Sequence, residues 1–300
     1  MSRFFNILKE AGRSGSNSDT AARAVEPWPA LEFETDAGAG SGAANQPPEA
    51  EAASPLQDLL ESFPEPPAPE SGFLGTETEV SLDQKARLIT RAAEPVVAEH
   101  YRRLRTKLLQ ERANKPFRSL VVASPNPQEG KTLTVLNLGL IFAMLPSFRV
   151  LVVDGDLRKG SLGKWLGVDH QPGLVSLLEG GASLEQVVFK CDDIPLHFVV
   201  RGKSDMRPGE LLNAPQLKTF LRRMAEHYDL VLVDSPPVNM VTDAQLLAAG
   251  CDGVLLIARA YSTTCKHFQK MVQELASFRI VGAVLNGGEP HSRRRYKGYY

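Results

Sequence analysis

Ser124-Pro125-Asn126-Pro127-Gln128-Glu129-Gly130-Lys131-Thr132 stands between an apolar run, Arg118–Ala123, and a helical run that opens Lys131-Thr132-Leu133. A turn closing on Gly-Lys-Thr at a strand-to-helix junction aims successive backbone N–H groups, and the positive end of the next helix, at one spot. That spot suits a phosphate. A lysine in such a turn neutralises charge on the β and γ phosphates, and the hydroxyl that follows it is placed for Mg2+. Lys131 and Thr132 are therefore read as nucleotide ligands, with Pro127, Gln128, Glu129, Gly130 and Leu133 completing the cradle. Proline stands at position 125, where the general GxxxxGK[ST] pattern has its first glycine, so the motif is incomplete taken alone.

Working outward, two more apolar runs end on acidic residues. Val150-Leu151-Val152-Val153-Asp154-Gly155-Asp156-Leu157-Arg158 carries two carboxylates at its end, and Leu230-Val231-Leu232-Val233-Asp234-Ser235-Pro236-Pro237 carries a third. A strand-end aspartate is commonly just a turn former or helix cap. Three of them beside one phosphate loop have another use: in an open parallel sheet, ligands bind at the carboxyl ends of the strands, where carboxylates hold Mg2+ or accept a proton. The β-type runs fall near 118–123, 149–153, 196–200, 230–233, 253–258 and 280–285, and helical patterns near 97–110, 131–144, 174–179, 216–226, 243–249 and 266–278. This alternation predicts an α/β fold of the P-loop NTPase type, a mostly parallel, doubly wound sheet flanked by helices.

With these motifs in hand, the chain from about Glu99 onward resembles the bacterial tyrosine kinases (BY-kinases) of capsule and exopolysaccharide synthesis. Their first nucleotide motif has the form SPxPGEGKS, their second DxDxR, and their third ends in DxPP; here they read SPNPQEGKT, DGDLR and DSPP. Glu99-His100-Tyr101-Arg102-Arg103-Leu104-Arg105 matches the family's ExxRxxR oligomerisation helix. Further similarity lies in Pro208–Leu212, Val241–Ala244 and Val284–Asn286. The resemblance implies ATP and Mg2+ as cofactors. Lys131 would hold the β and γ phosphates, Thr132, Asp156 and Asp234 the metal, and Asp154 would be the general base toward a tyrosine hydroxyl. Arg158 would orient the aspartate pair or touch phosphate, and Asn286 would read the adenine. Glu99, Arg102 and Arg105 would form an inter-subunit seam of a ring-like homo-oligomer. Tyr296, Tyr299 and Tyr300, in the basic tail Arg293–Tyr300, would accept phosphate from a neighbour. The partner implied is a membrane-embedded activator, a polysaccharide chain-length or co-polymerase protein, which would recruit the cytoplasmic chain to the inner membrane face. One departure stands out. Gln128 occupies a family glycine position, which strains the turn if it needs a positive φ.

The flanks differ from this body. Residues 14–84 hold fourteen acidic side chains and one basic one, Arg23, while residues 85–300 hold thirty basic and twenty acidic. The acidic stretch is rich in Ala, Pro, Gly and Ser, buries too little apolar surface to offset chain entropy, and predicts a disordered N-terminal arm with an apolar island at Leu56, Leu59, Leu60 and Phe63. Residues 1–13 alternate basic and apolar positions and predict a short amphipathic helix. The expected organisation is thus helix 1–13, linker 14–84, P-loop kinase domain 85–288 and tyrosine-containing tail 289–300.

Composition narrows the alternatives. Cys191, Cys251 and Cys265 form no CxxC pair, which argues against a disulfide framework or a cysteine-held metal and fits a reducing compartment. The longest apolar run, Leu133–Leu145, is too short for a membrane span and contains Asn137. The basic excess of the body lacks interleaved aromatics, so nucleic acid is not the expected partner. Two other functions share the fold: a positioning ATPase of the ParA/MinD type, and a catalytically weak nucleotide-binding regulatory subunit. The first calls for a lysine five residues before Lys131, where Asn126 stands; Gln128 and the short tail keep the second open beside the kinase reading.

Overall fold

The computed structural model describes residues 76–77, 95–168, 172–190, 196–203, 208–212 and 215–288. The chain divides after residue 57, and every described residue lies in the second unit, 58–300. The helix expected at 1–13, almost all of the acidic linker and the tail 289–300 lie outside the described residues.

In chain order the elements are β1 (Thr76–Glu77), α1 (Pro95–Asn114), β2 (Ser119–Ala123), α2 (Lys131–Ala143), β3 (Val150–Asp154), α3 (Leu162–Leu166), α4 (Leu174–Leu178) and α5 (Leu184–Val187). They continue with β4 (Val188–Lys190), β5 (Leu196–Val199), α6 (Pro208–Leu212), α7 (Pro215–His227), β6 (Leu230–Asp234), α8 (Asp243–Ala248), β7 (Gly253–Arg259), α9 (Cys265–Glu274) and β8 (Ile280–Asn286). One eight-stranded sheet runs β1-β4-β5-β3-β6-β2-β7-β8. Every pairing is parallel except β4 with β5, so the expected architecture is observed.

Burial explains the pattern. All residues of β2, β3 and β6 are buried, as near-continuous Val/Leu runs require when helices cover both sheet faces. Helix α2 is apolar nearly all round because it is itself interior: Val135, Leu136, Leu138, Leu140 and Ile141 are all at most 1% exposed. Each such side chain contributes about 1.5–3 kcal/mol by leaving water. The apolar run that came nearest to a membrane span is this helix, and among the described residues no helix is long and apolar enough to cross a membrane.

Strand order creates the site. β3, β6 and β2 are neighbours, although their order in the chain is β2, β3, β6. The loop after β2 therefore opens beside the carboxyl ends of the other two, the kind of crevice where open α/β sheets bind ligands.

Candidate nucleotide and phosphotransfer site

Gly130 precedes α2 in the left-handed conformation, φ 95°, and Thr134 N–H closes the first helical turn on the Gly130 carbonyl at 2.9 Å. The amides of Lys131, Thr132 and Leu133 have no partner within the helix and form its positive end. No side chain fits at position 130: a Cβ there would lie 2.1 Å from Asn286 Nδ2. Gln128 is also left-handed, φ 60°. The turn thus needs the positive φ that glycine supplies freely, and the chain meets it with a glutamine at a strain on the order of 1 kcal/mol.

The loop is held from several sides. Glu129, only 2% exposed, accepts bonds from Asn126 N (3.0 Å), Asn126 Nδ2 (3.0 Å) and Thr263 Oγ1 (2.6 Å). Arg259 Nη1 donates to the Gln128 carbonyl at 2.7 Å, and Asn286 Nδ2 to that of Glu129 at 3.0 Å. Val238 N and Asn239 N bind the carbonyls of Ser124 and Pro125, so the segment after β6 fixes the loop's entry. Pro127 sits exposed at the turn. Lys131 is buried and donates from Nζ to Ser124 Oγ at 2.9 Å. Burial lowers its pKa, and the carboxylates of Asp234, Asp156 and Glu129 oppose that shift.

Asp154 and Asp234 are register partners on β3 and β6 and are at most 1% exposed. Two carboxylates on adjacent strands, whose spacing is about 4.8 Å, disfavour each other's charge. Burial, and secondarily the Asp234 charge, push the Asp154 carboxyl well up. Burial likewise carries Asp234 to about 6, against the pull of Thr132 and Lys131. Asp154 Oδ2 accepts Leu162 N at 2.9 Å and Oδ1 accepts Asp156 N at 3.3 Å. Thr132 Oγ1 donates to Asp234 Oδ2 at 2.5 Å. Asp156 turns one oxygen onto Lys159 N at 3.0 Å. Gly155 allows the close strand approach, since a Cβ there would meet the Asp234 carbonyl at 2.5 Å.

Does this donor set fit a cation? Among the described residues no three His, Cys, Asp or Glu side chains form a metal cluster of their own. A hydroxyl and one or two carboxylates, with phosphate oxygens and water completing the shell, suit Mg2+, which seldom takes an all-protein cage. The excess of buried negative charge also favours a cation.

Not every expected residue joins the group. Arg158 is clamped on Asp243 of α8, Nε to Oδ2 at 2.7 Å and Nη2 to Oδ1 at 3.0 Å. Its guanidinium is held by that buried carboxylate, and the charge of Asp156 also favours the cation there. Asn286 is used on the loop backbone. The stripe on α1 splits as well. Glu99 pairs with Arg102 (3.6 Å) and Arg103 (3.3 Å) at the surface, whereas Arg105 turns inward and donates to the Ile141 carbonyl of α2 at 2.7 Å. Tyr296, Tyr299 and Tyr300 lie outside the described residues.

Sequence reasoning missed Ser124, Asp243, Arg259 and Thr263. Ser124 opens the phosphate-loop motif and Asp243 sat within Val241–Ala244, both noticed without a role; Arg259 and Thr263 signal nothing locally, because their partners lie 131 and 134 residues away.

A sheet-edge phosphate loop with a buried lysine and paired strand-end aspartates defines a P-loop nucleotide-binding domain. The sequence matches no protein-family profile. It is 31% identical over 205 residues to the tyrosine-protein kinase YwqD of Bacillus subtilis, covering 68% of this chain and 86% of that protein. It is 34% identical over 201 residues to the tyrosine-protein kinase ptk of Acinetobacter johnsonii, and 36% over 199 residues to the EpsB protein of Ralstonia nicotianae. The two matches cover 66% and 65% of this chain but 27% and 26% of those longer relatives, so the chain spans about a quarter of their length. Among solved structures, the kinase domain of Escherichia coli ETK superposes with a TM-score of 0.65 at 29% identity, covering 72% of this chain and 84% of that one. The BceF tyrosine kinase domain gives 0.60 at 27%, covering 71% and 92%. The chain belongs to the bacterial tyrosine kinase family.

Proposed function

We propose that the chain is an ATP-dependent protein-tyrosine kinase that phosphorylates copies of itself and regulates polymerisation and export of an exopolysaccharide or capsule. The observation that carries the reading is the registered pair Asp154 and Asp234 beside Lys131 and Thr132. A general base needs a raised carboxyl pKa near the reacting atoms, and Asp154 has one from burial and its neighbour.

In this reading the first amides of α2 and Lys131 bind the triphosphate, and Lys131 leaves Ser124 to follow charge onto the transferring group. Asp154 accepts the proton of the incoming tyrosine. Thr132, Asp234 and Asp156 would hold Mg2+, which when bound neutralises charge on the phosphate oxygens. Arg158 and Asp243 hold the loop after β3 against α8, keeping Asp156 in place. The acceptors are Tyr296, Tyr299 and Tyr300, delivered by a neighbour in a ring-like homo-oligomer whose seam includes the half-buried Glu99 and the exposed Arg102. A membrane-embedded co-polymerase would be the activator, bringing the cytoplasmic chain to the membrane face. Purified chain, incubated with ATP and Mg2+ with and without the cytoplasmic segment of a candidate activator, should gain phosphotyrosine, and more with the segment; hydrolysis with no phosphotyrosine in either case would overturn the reading.

One observation favours a second reading. Gln128 carries the turn at φ 60°, and a chain selected for fast turnover would gain from glycine there. A nucleotide-binding regulatory subunit tolerates the strain. For a positioning ATPase nothing comparable speaks, since the Asn126 side chain is bonded to Glu129.

A further inference from the structure

The chain has six tyrosines, three of them in the tail. Of the others, Tyr228 is 4% exposed with its hydroxyl on His197 Nδ1 at 2.7 Å, and the Tyr101 hydroxyl is bonded to Thr134. Tyr261 is the opposite: it is 89% exposed and sits at φ 60°.

The fold gives no reason for tyrosine there. A left-handed, solvent-facing turn position favours glycine or asparagine, because a Cβ crowds the backbone and an exposed ring gains nothing from burial. Yet the turn is firmly built. Arg259 N–H donates to Thr263 Oγ1 at 2.8 Å, Thr263 N–H returns to the Arg259 carbonyl at 2.9 Å, and Ala260 N–H binds the Asn286 carbonyl at 2.8 Å. The same turn grips the phosphate loop, through Arg259 on the Gln128 carbonyl and Thr263 on Glu129. An aromatic hydroxyl is thus presented to solvent from a firmly bonded turn wired to the nucleotide site.

We propose that Tyr261 is a further phosphoacceptor, labelled by a second copy of this chain, and that its phosphorylation weakens nucleotide binding in the copy that carries it. The inference rests on the kinase reading. Topology argues for transfer between copies: β7 lies on the far side of β2 from β3, three strand spacings or about 14 Å from the Asp154 strand, and the hydrogen-bonded turn does not swing across. In the donor copy the phenolic oxygen attacks the γ phosphorus of ATP as Asp154 takes its proton. A new O–P bond forms, the bond from the γ phosphorus to the β,γ-bridging oxygen breaks, and ADP leaves with that electron pair. The phosphate adds about −1.5 to −2 charges two residues from Arg259. It competes for the guanidinium that holds Gln128 in its left-handed conformation and repels the nucleotide's own phosphates.

The test uses full-length chain. An acceptor made inactive by Lys131→Met, with Tyr296→Phe, Tyr299→Phe and Tyr300→Phe, and grown on 15N so that its peptides differ in mass, is mixed with unlabelled active chain, ATP and Mg2+, and phosphotyrosine is mapped by mass spectrometry of the tryptic peptide 260–266 of each chain. Label on Tyr261, falling at least tenfold when Tyr261→Phe is added, is the expected result. Tail label on the active chain with Tyr261 unmodified overturns this proposal and leaves the kinase reading standing; no phosphotyrosine on any chain overturns both. Label on Tyr261 of the active chain alone overturns transfer between copies. Nucleotide affinity of Tyr261-labelled chain that keeps Lys131, with Tyr296→Phe, Tyr299→Phe and Tyr300→Phe, should rise several-fold after phosphatase treatment, and an unchanged affinity overturns the regulatory consequence.

Discussion

The two halves of the site carry opposite kinds of strain. On the phosphate side, between Ser124 and Thr132, the polar groups are well satisfied, and the cost is conformational, a glutamine in the left-handed region. On the carboxylate side the backbone is ordinary strand, and the cost is electrostatic, with Asp154 and Asp234 side by side in the interior. The difference teaches which half is finished before ligand arrives. The loop is preorganised by its own hydrogen bonds; the carboxylate pair is left awaiting positive charge.

The largest effect expected breaks the functional half of this contrast. Lys131→Met removes the cation beside both halves and should lower tyrosine phosphorylation by several powers of ten with the fold intact, checked by phosphotyrosine blotting alongside circular dichroism. Asp234→Asn should raise the melting temperature of ligand-free chain at neutral pH, because an amide relieves the buried charge conflict, keeps an oxygen for Ser235 N and can donate to Thr132 Oγ1. A domain of this size gains roughly 2–4 °C for each kcal/mol recovered. A lower melting temperature would mean that the pair is not strained.

The pH dependence sharpens the same point. Asp234 sits at about 6 in the folded chain against an ordinary 3.8, so the folded state holds that proton more tightly than the unfolded state does. Its contribution to stability is therefore fully present below about pH 4 and is lost as pH rises through about 6. Denaturation of ligand-free chain should show this decline, and saturating Mg2+ and nucleotide should flatten it.

Smaller effects separate conformational from electrostatic costs. Arg105→Ala leaves the Ile141 carbonyl without its donor and should cost about 1–3 kcal/mol in urea denaturation. Arg102→Ala touches a surface pair and should change stability by less than about 1 kcal/mol, while lowering the assembled mass in light scattering if Glu99 and Arg102 form the seam. Gln128→Gly should tighten nucleotide binding by roughly 1 kcal/mol or less, read by calorimetry.

How legible was this in the sequence? Strands such as Val150–Asp154 announced themselves, since burial on both faces demands unbroken β-branched and Leu runs, and strand ends then placed Asp154 and Asp234 at one edge. The strain at Gln128 was anticipated from the glycine the turn wants. Short elements such as β4 and α5 were not seen. Three or four residues carry no period, and Val187 ends a helix directly against Val188 of a strand. The partners of Arg158 and Arg105 were not legible, because spacing along a chain does not reveal which way a long guanidinium turns; Asp243 and the Ile141 carbonyl, 85 and 36 residues distant, decide it.

The most direct measurement is single-turnover transfer by Asp154→Asn chain with ATP and Mg2+ already bound. If Asp154 is the base, nucleotide and Mg2+ affinity stay within about threefold of wild type while phosphotransfer to tyrosine falls by about 10²–10⁴. Transfer at the wild-type rate, or a loss that tracks lost Mg2+ affinity and is recovered by raising the metal concentration, would contradict the account.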